Sequence, residues 1–280
     1  MRRPYQLENK RLKWLAAPYG VWAAGFIIIP LLMIVIYAFT SQETGGFTLS
    51  NFGDVFTGEV MKALGLSLVL ALISTLICIL LAYPLAMILA GMKVSQKSFI
   101  VFIFILPMWM NFLLRTFAWQ TLLEKNGVIN TLLGALHLPK LEIINTPWAI
   151  VLGMVYNFLP FMILPIYNVL IKLDQDVLNA ARDLGANSFQ TFWKVTFPLS
   201  LPGVISGVTM VFIPSLTTFV ISDLLGGGKI LLIGNMIEQE FKQLNNWNVG
   251  SAMSIILLIF VIVSMVIEAK YDKTGEGTAL

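Results

Sequence analysis

Six long apolar runs constrain this sequence more than any other feature. Each is long enough to cross a bilayer, which takes about 20 mostly apolar residues. Because lipid offers no partners for backbone N–H and C=O groups, each run must form a helix that pairs them internally. The 280 residues are 58% hydrophobic and 12% charged, with a mean hydropathy of +0.83. We predict an all-α polytopic membrane protein with six transmembrane helices, over residues 18–40, 64–91, 98–118, 146–172, 198–223 and 249–268.

The distribution of Lys and Arg predicts the orientation of these helices. Of the 18 Lys and Arg residues, 12 lie in the N-terminal segment, in the loops after spans two and four, and at the C-terminal end. Insertion retains such residues on the cytoplasmic side, so both termini are predicted to be cytoplasmic. The predicted organisation is a cytoplasmic N-terminal segment (1–17), a six-helix membrane domain (18–268) and a cytoplasmic tail (269–280). The membrane domain contains one cytoplasmic loop, at 173–197.

The chemistry of the residues excludes several kinds of site. Cys78 is the only cysteine and His137 the only histidine, so we predict no disulfide framework, metal cluster or catalytic triad. The sequence GGGK at 226–229 is followed by Ile230, where a phosphate-binding loop needs Ser or Thr. We therefore predict no cofactor and no enzyme activity, and the formal net charge of +3 reflects membrane topology and not nucleic-acid binding. Any uphill transport would draw its energy from another chain or from an ion gradient.

A polar stretch, NAARDLGANSFQTFWKVTFPLSLPG at 179–203, separates spans four and five. Asp174 or Asp176 can cap the start of a short helix. Gly185 can end that helix, because glycine readily adopts the left-handed backbone conformation. Ser188, or Asn187 with Gln190, can cap a second helix before Pro198 begins span five. Helical spacing alone leaves two interpretations open: a contact surface for another protein, or a helix lying in the lipid headgroups.

The spacing within this stretch resembles the cytoplasmic signature loop of ABC importer permeases, E-A-A-x-x-x-G, nine residues, I-x-L-P. Ala180, Ala181 and Gly185 match, nine residues follow, and Pro198 closes the motif, while Asn179 stands where the family usually has glutamate. The resemblance implies a type I ABC importer permease fold and a loop that docks on a separate ATPase. The residues implied in that coupling are Leu178, Asn179, Ala180, Ala181, Asp183, Gly185, Phe189, Phe192, Trp193 and Pro198.

Two further segments, 107–133 and 222–241, resemble the first permease subunit of spermidine/putrescine importers. This resemblance implies a multi-pass protein of the bacterial inner membrane and a polyamine substrate. It also implies three partners: a second permease, an ATPase dimer and an extracytoplasmic substrate-binding protein. Because other permeases share these patterns in looser form, an importer of an anion, iron or thiamine stays an alternative. An ion-driven transporter or channel is a more distant alternative.

A polyamine path needs carboxylates and aromatic walls, because the substrate carries ammonium groups joined by methylenes. Asp223, preceded by Phe219, is the first candidate, with pairing to Lys229 or exposure to solvent as the alternative. Asn111 is predicted to share a helix face with Pro107 and Arg115. Arg115 is predicted either to extend its charged end to the membrane interface or to pair with an acid, such as Glu124 or one on a partner. Other candidates for the path are Trp109, Tyr156, Asn157 and Phe161, with packing in the apolar bundle as the more common role of such residues.

Prolines in spans four and five predict kinked helices, since proline removes a backbone hydrogen bond. Pro160 and Pro165 interrupt span four, and Pro198, Pro202 and Pro214 interrupt or flank span five. Spans three to five are therefore expected to form a moving core for alternating access. Span one and the N-terminal segment are expected to contact the second permease.

Overall fold

The computed structural model describes residues 17–92, 104 and 106–271. Within these ranges, five helices are long and apolar enough to cross a membrane. They are α1 (Pro18–Ala38), α3 (Gly58–Gly91), α6 (Pro147–Leu170), α8 (Ser188–Thr217) and the first 21 residues of α11 (Trp247–Tyr271). The shorter helices are α2 (Ser50–Val55), α4 (Phe112–Leu123), α5 (Val128–Ala135), α7 (Gln175–Asp183), α9 (Val220–Leu225) and α10 (Ile233–Lys242). Most of the predicted N-terminal segment, most of the tail, and residues 98–103 of span three lie outside the described residues.

The described part of span three is not one continuous helix, which corrects the prediction. A single 3₁₀ turn covers Leu106–Trp109, and α4 then begins after Asn111, which is its N-cap. The Asn111 side chain accepts hydrogen bonds from the backbone N–H groups of Leu113 and Leu114, at 2.9 and 3.3 Å. A capping residue has a non-helical backbone, so Asn111 does not share a continuous helix face with Pro107 and Arg115. The 12 residues of α4 extend about 18 Å, less than the roughly 30 Å of the hydrocarbon layer.

The limits of span five also differ from the prediction. The helix begins at Ser188 and ends at Thr217, so Pro198 lies inside it instead of beginning it. Thr218 is extended, with φ −66° and ψ 141°, and α9 then starts a new direction. Asp223 therefore belongs to a separate short helix, and not to the end of the span.

Three helices, α3, α6 and α8, pack against one another and form the centre of the bundle. Side chains that the structure buries completely between them include Cys78, Met154, Met162, Ile166 and Val211. A second cluster joins α1, α2, α10 and α11 through Ala38, Val55, Ile233, Ala252 and Met253. The remaining surfaces of α1, α3 and α11 carry exposed large apolar side chains, as expected of helices that face lipid or another membrane subunit.

Two glycines allow α8 to approach α6 closely. A Cβ atom added at Gly203 would lie 2.7 Å from the carbonyl oxygen of Pro165, and one at Gly207 would lie 2.7 Å from the sulfur of Met162. Small residues four positions apart allow membrane helices to pack backbone against backbone. The helices on either side of the polar stretch are thus held together tightly.

Two π-helical segments precede prolines in the same way. Ala24–Ile28 lies before Pro30, and Phe192–Thr196 lies before Pro198. In each, the last N–H before the proline bonds five residues back, from Ile29 to Ala24 and from Phe197 to Phe192. The wider turn accommodates the proline ring, which lacks an N–H and would collide with the carbonyl four residues earlier. Pro84, Pro160, Pro165, Pro202 and Pro214 lie within helices, and the predicted kinks stay a prediction.

Candidate coupling loop and substrate path

The first part of the polar stretch forms the predicted helix and turn. Asp174 caps α7, accepting a hydrogen bond from the N–H of Asp176 at 2.9 Å. Gly185 has a φ of +84°, and the N–H of Ala186 reaches the carbonyl of Ala181 at 3.1 Å. This is the hydrogen-bond pattern with which glycine ends a helix.

The second part begins with a reciprocal cap. The N–H of Gln190 donates to the side chain of Asn187 at 2.8 Å, and the N–H of Asn187 donates to the side chain of Gln190 at 3.0 Å. This capping box satisfies the free N–H groups at the start of α8. Of the two predicted caps, Asn187 is therefore the one formed.

The coupling-loop candidates divide between an outward and an inward side. Phe189 and Trp193 are 70% and 50% exposed, and Leu184, which was not among the predicted residues, is 90% exposed. The other exposed candidates are Asn179, Ala180, Asp183, Gly185 and Pro198. Leu178, Ala181 and Phe192 are half-buried. The outward side is thus a small surface on which apolar side chains are exposed to water, which is unfavourable.

The inward side is connected to the bundle through aromatic rings. Phe192 packs edge-to-face on Tyr83 of α3, with ring centroids 5.4 Å apart. The hydroxyls of Tyr83 and Ser200 lie 2.6 Å apart, which links α3 to α8. Tyr83 and Ser200 were not among the predicted residues. The signal available in the sequence was a tyrosine in an otherwise apolar run.

At the opposite end of α8, Asp223 takes part in a polar network centred on Asn235 of α10. The Asn235 amide donates to the Asp223 carboxylate at 2.5 Å and to the Phe219 carbonyl at 3.1 Å. Its side-chain oxygen accepts hydrogen bonds from Ser222 and from the N–H of Leu232, at 2.6 and 3.0 Å. Asn235 is buried and holds the Asp223 carboxylate in place, although sequence reasoning did not single it out. The sequence feature that could have identified Asn235 is that it is a lone amide in the apolar segment LLIGNMI.

The electrostatic surroundings of Asp223 come mainly from α10. Burial and the nearby Glu238 carboxylate raise the pKa of Asp223 above its usual value, while Asn235 and Lys242 lower it. Between described residues, the ion pair present within 4.0 Å joins Lys242 and Glu238, so the alternative pairing of Asp223 with Lys229 is not observed. The Asp223 residue itself is exposed.

The structure separates the other path candidates. Tyr156 is half-buried and packs edge-to-face on Trp119, at 5.3 Å, and Phe161 is 37% exposed. Asn157 is buried in the bundle and donates to the Gly153 carbonyl at 2.9 Å. Trp109 is 77% exposed beside the start of α4, which packs against α9. Asn111 caps α4, and α4 packs against α9, the helix that carries Asp223.

Arg115 lies in the interior, contrary to the prediction that it snorkels to the interface or pairs with Glu124. It is 7% exposed, and its Nε and Nη1 atoms have no hydrogen-bond acceptor within the described chain. A buried cation is costly without compensation. Of the acceptors predicted for the Arg115 side chain, an acid on a partner subunit is the one that remains.

The long apolar helices, the turn at Gly185 that joins α7 to α8, and the polar end at α9 and α10 together define a multi-pass transport permease. A family model for the inner membrane component of binding-protein-dependent transport systems matches residues 82–273. The chain belongs to this family.

Two relatives narrow the similarity further. The spermidine/putrescine transport system permease protein PotB of Haemophilus influenzae is 39% identical over 269 residues, covering 91% of this chain and 94% of the relative. The PotB protein of Escherichia coli K12 is 39% identical over 246 residues, covering 85% and 89%. A permease chain of a bacterial alginate ABC transporter, solved with an alginate-bound periplasmic protein, shares the fold, with a TM-score of 0.78 at 16% identity over 94% of this chain and 93% of that one.

Proposed function

We propose that this chain is the permease subunit of an ATP-driven importer of polyamines such as spermidine or putrescine. It forms half of the translocation pathway beside a second permease, in a bacterial plasma membrane with both termini cytoplasmic. An ATPase dimer and an extracytoplasmic binding protein complete the assembly. The observation that carries the proposal is the 39% identity to two spermidine/putrescine permeases over most of the chain.

The coupling role is assigned to the surface formed by Leu184, Phe189 and Trp193, together with the predicted residues around Ala181 and Gly185. A few residues supply most of the binding energy at protein interfaces, and tryptophan, here Trp193, is enriched among them. ATP binding and hydrolysis take place on the partner. Motion of the loop reaches the membrane helices through the contact of Phe192 with Tyr83 and through the continuous helix α8.

The substrate role is assigned to the network around Asp223. Its carboxylate is held by Asn235, lies after Phe219, and remains exposed at the end of the bundle opposite the coupling loop. An ammonium group gains from both a carboxylate and an aromatic face, worth about 0.5–2 kcal/mol for the cation–π contact. Asp223 thus receives the cation as the outer mouth opens during alternating access.

The test of this function is ATPase stimulation in the complex reconstituted with its binding protein. We expect the loaded binding protein to raise ATP hydrolysis with spermidine or putrescine and not with an unrelated anion, iron or thiamine. Stimulation by one of those solutes in place of polyamines would assign the permease to another substrate. Transport that persists without the ATPase would contradict the importer class itself.

Replacement of Asp223 by asparagine should reduce polyamine uptake about tenfold, equivalent to about 1.4 kcal/mol. The amide keeps the shape of the side chain but loses the charge that meets the ammonium. Uptake in proteoliposomes is the measurement, with complex assembly checked by co-purification. Glu142→Gln, an exposed acid in the loop between α5 and α6, is the matched control. Unchanged uptake in Asp223→Asn would remove this carboxylate from the path.

A further inference from the structure

A surface cavity of about 360 Å³ lies beside the Asp223 network, between the end of α8 and the helices α10 and α11. Its walls are mostly apolar, with the aromatic rings of Phe219 and Phe241 and the aliphatic side chains of Ile237 and Leu257. Its charged residues are Glu238 and Lys242. An apolar cavity with few polar groups is the usual form of a small-molecule site, and its volume falls within the range of about 300–1,000 Å³.

The charged residues form an ion pair within this cavity. The ammonium nitrogen of Lys242 lies 2.7 Å from the Glu238 carboxylate, and the two side chains are 71% and 24% exposed, respectively. An exposed pair one helical turn apart contributes little to stability. The lysine is therefore held weakly, whereas the glutamate is partly enclosed by the cavity.

The chemistry of the lysine is informative here, because its side chain is a chain of four methylenes ending in a primary ammonium. A 1,4-diamine has the same chain of four methylenes and the same primary ammonium, with a second ammonium at its other end. The contact of Lys242 with Glu238 thus shows that a primary ammonium on an alkyl chain can reach the carboxylate at the edge of this apolar cavity.

The charge balance points in the same direction. Glu238 and Asp223 are two carboxylates that interact electrostatically, and Lys242 is the cation that interacts with both. With Lys242 in place the three groups have one unbalanced negative charge. A diammonium ligand that replaced the lysine would balance both carboxylates.

We propose that this cavity binds a primary alkylammonium end of the substrate on Glu238, and that Lys242 occupies the site until the substrate displaces it. The inference rests on the proposed polyamine function and adds a binding site with an internal competitor. Phe219 and Phe241 enclose the alkyl chain, and Asp223 receives the second ammonium. Displacement breaks the pair between Lys242 and Glu238 and leaves the carboxylate to the substrate, and the lysine loses little because its side chain is already 71% exposed.

The test is equilibrium binding of radiolabelled putrescine to the solubilised complex of the permease with its partner subunits, in the absence of the binding protein. Lys242→Gln should tighten binding about two- to threefold, because an exposed pair of this kind is weak. Glu238→Gln should weaken it about tenfold, since a charge-assisted hydrogen bond is lost. Lys125→Gln, which removes an exposed lysine outside this cavity, is the control.

Equal binding by the wild type, Lys242→Gln and Glu238→Gln would overturn the inference, even if polyamine uptake with the binding protein is normal. A complex that takes up no polyamine at all would instead refute the proposed function. In the double variant the effect of Lys242→Gln should vanish, because no carboxylate remains for the lysine to occupy. A lysine effect that persists without Glu238 would show that Lys242 acts in some other way.

Discussion

Replacing Gly203 with leucine should abolish accumulation of the folded permease. The Cβ atom alone would lie 2.7 Å from the Pro165 carbonyl oxygen and 2.9 Å from a methyl group of Val169. Neither helix backbone can move away easily, because α6 and α8 also pack on α3. Overpacking of this kind costs typically about 1–3 kcal/mol, and here the whole leucine side chain would have to be placed between backbones. The amount of monodisperse protein after mild solubilisation is the measurement.

Gly65→Leu is the matched control for this experiment. Gly65 lies in α3, and an added Cβ atom there meets no atom within 4 Å. The same leucine is therefore expected to be tolerated on that face. If Gly203→Leu accumulates as well as Gly65→Leu, then α6 and α8 do not pack as closely as the structure shows.

The second large effect is expected from the coupling loop. Leu184→Asp combined with Phe189→Asp should abolish ATPase binding and uptake while leaving the permease folded. Both side chains are exposed, so the folded chain loses little, but an interface would lose two apolar anchors. Anchors of this type are worth about 2 kcal/mol or more each. Co-purification of the ATPase is the direct measurement.

The control for this variant is Leu136→Asp, which places the same charge on an exposed leucine at the end of α5. A cysteine at Ala181, paired with cysteines in the ATPase groove, gives an independent readout by crosslinking. Native Cys78 is fully buried and will not compete for the reagent. ATPase retention by the double aspartate variant, with undiminished crosslinking at Ala181, would place the interface elsewhere.

Local signals predicted the architecture, and the caps and the turn within the polar stretch, well. The apolar runs located five long helices, although α3 starts at Gly58 and α8 at Ser188, before the predicted limits. The caps at Asp174 and Asn187 and the left-handed Gly185 were also predicted. Each of these features depends on interactions within about four residues, so the spacing of residue types along the sequence predicts it directly. Asn111 was wrongly predicted to lie inside a helix. Asparagine favours the capping position, and here it interrupts the helix within an apolar run.

The partners of the polar residues could not be predicted in the same way. Asn235 reaches back 12 residues to Asp223, and Ser67 accepts a hydrogen bond from Ile233 across 166 residues. Tyr83 meets Ser200 across 117 residues. No periodicity connects residues so far apart, because their contact depends on how the helices pack.

By itself, the sequence determined that the chain is helical and spans a membrane, and where the polar stretch bends at Gly185, because hydropathy and capping act over short distances. The tertiary structure decided which polar groups meet. It buried Arg115, turned Phe192 toward Tyr83, and placed Lys242 and Glu238 in a cavity beside Asp223. Such contacts follow from packing between helices, where close approach at Gly203 and Gly207 depends on surfaces that are distant in the chain.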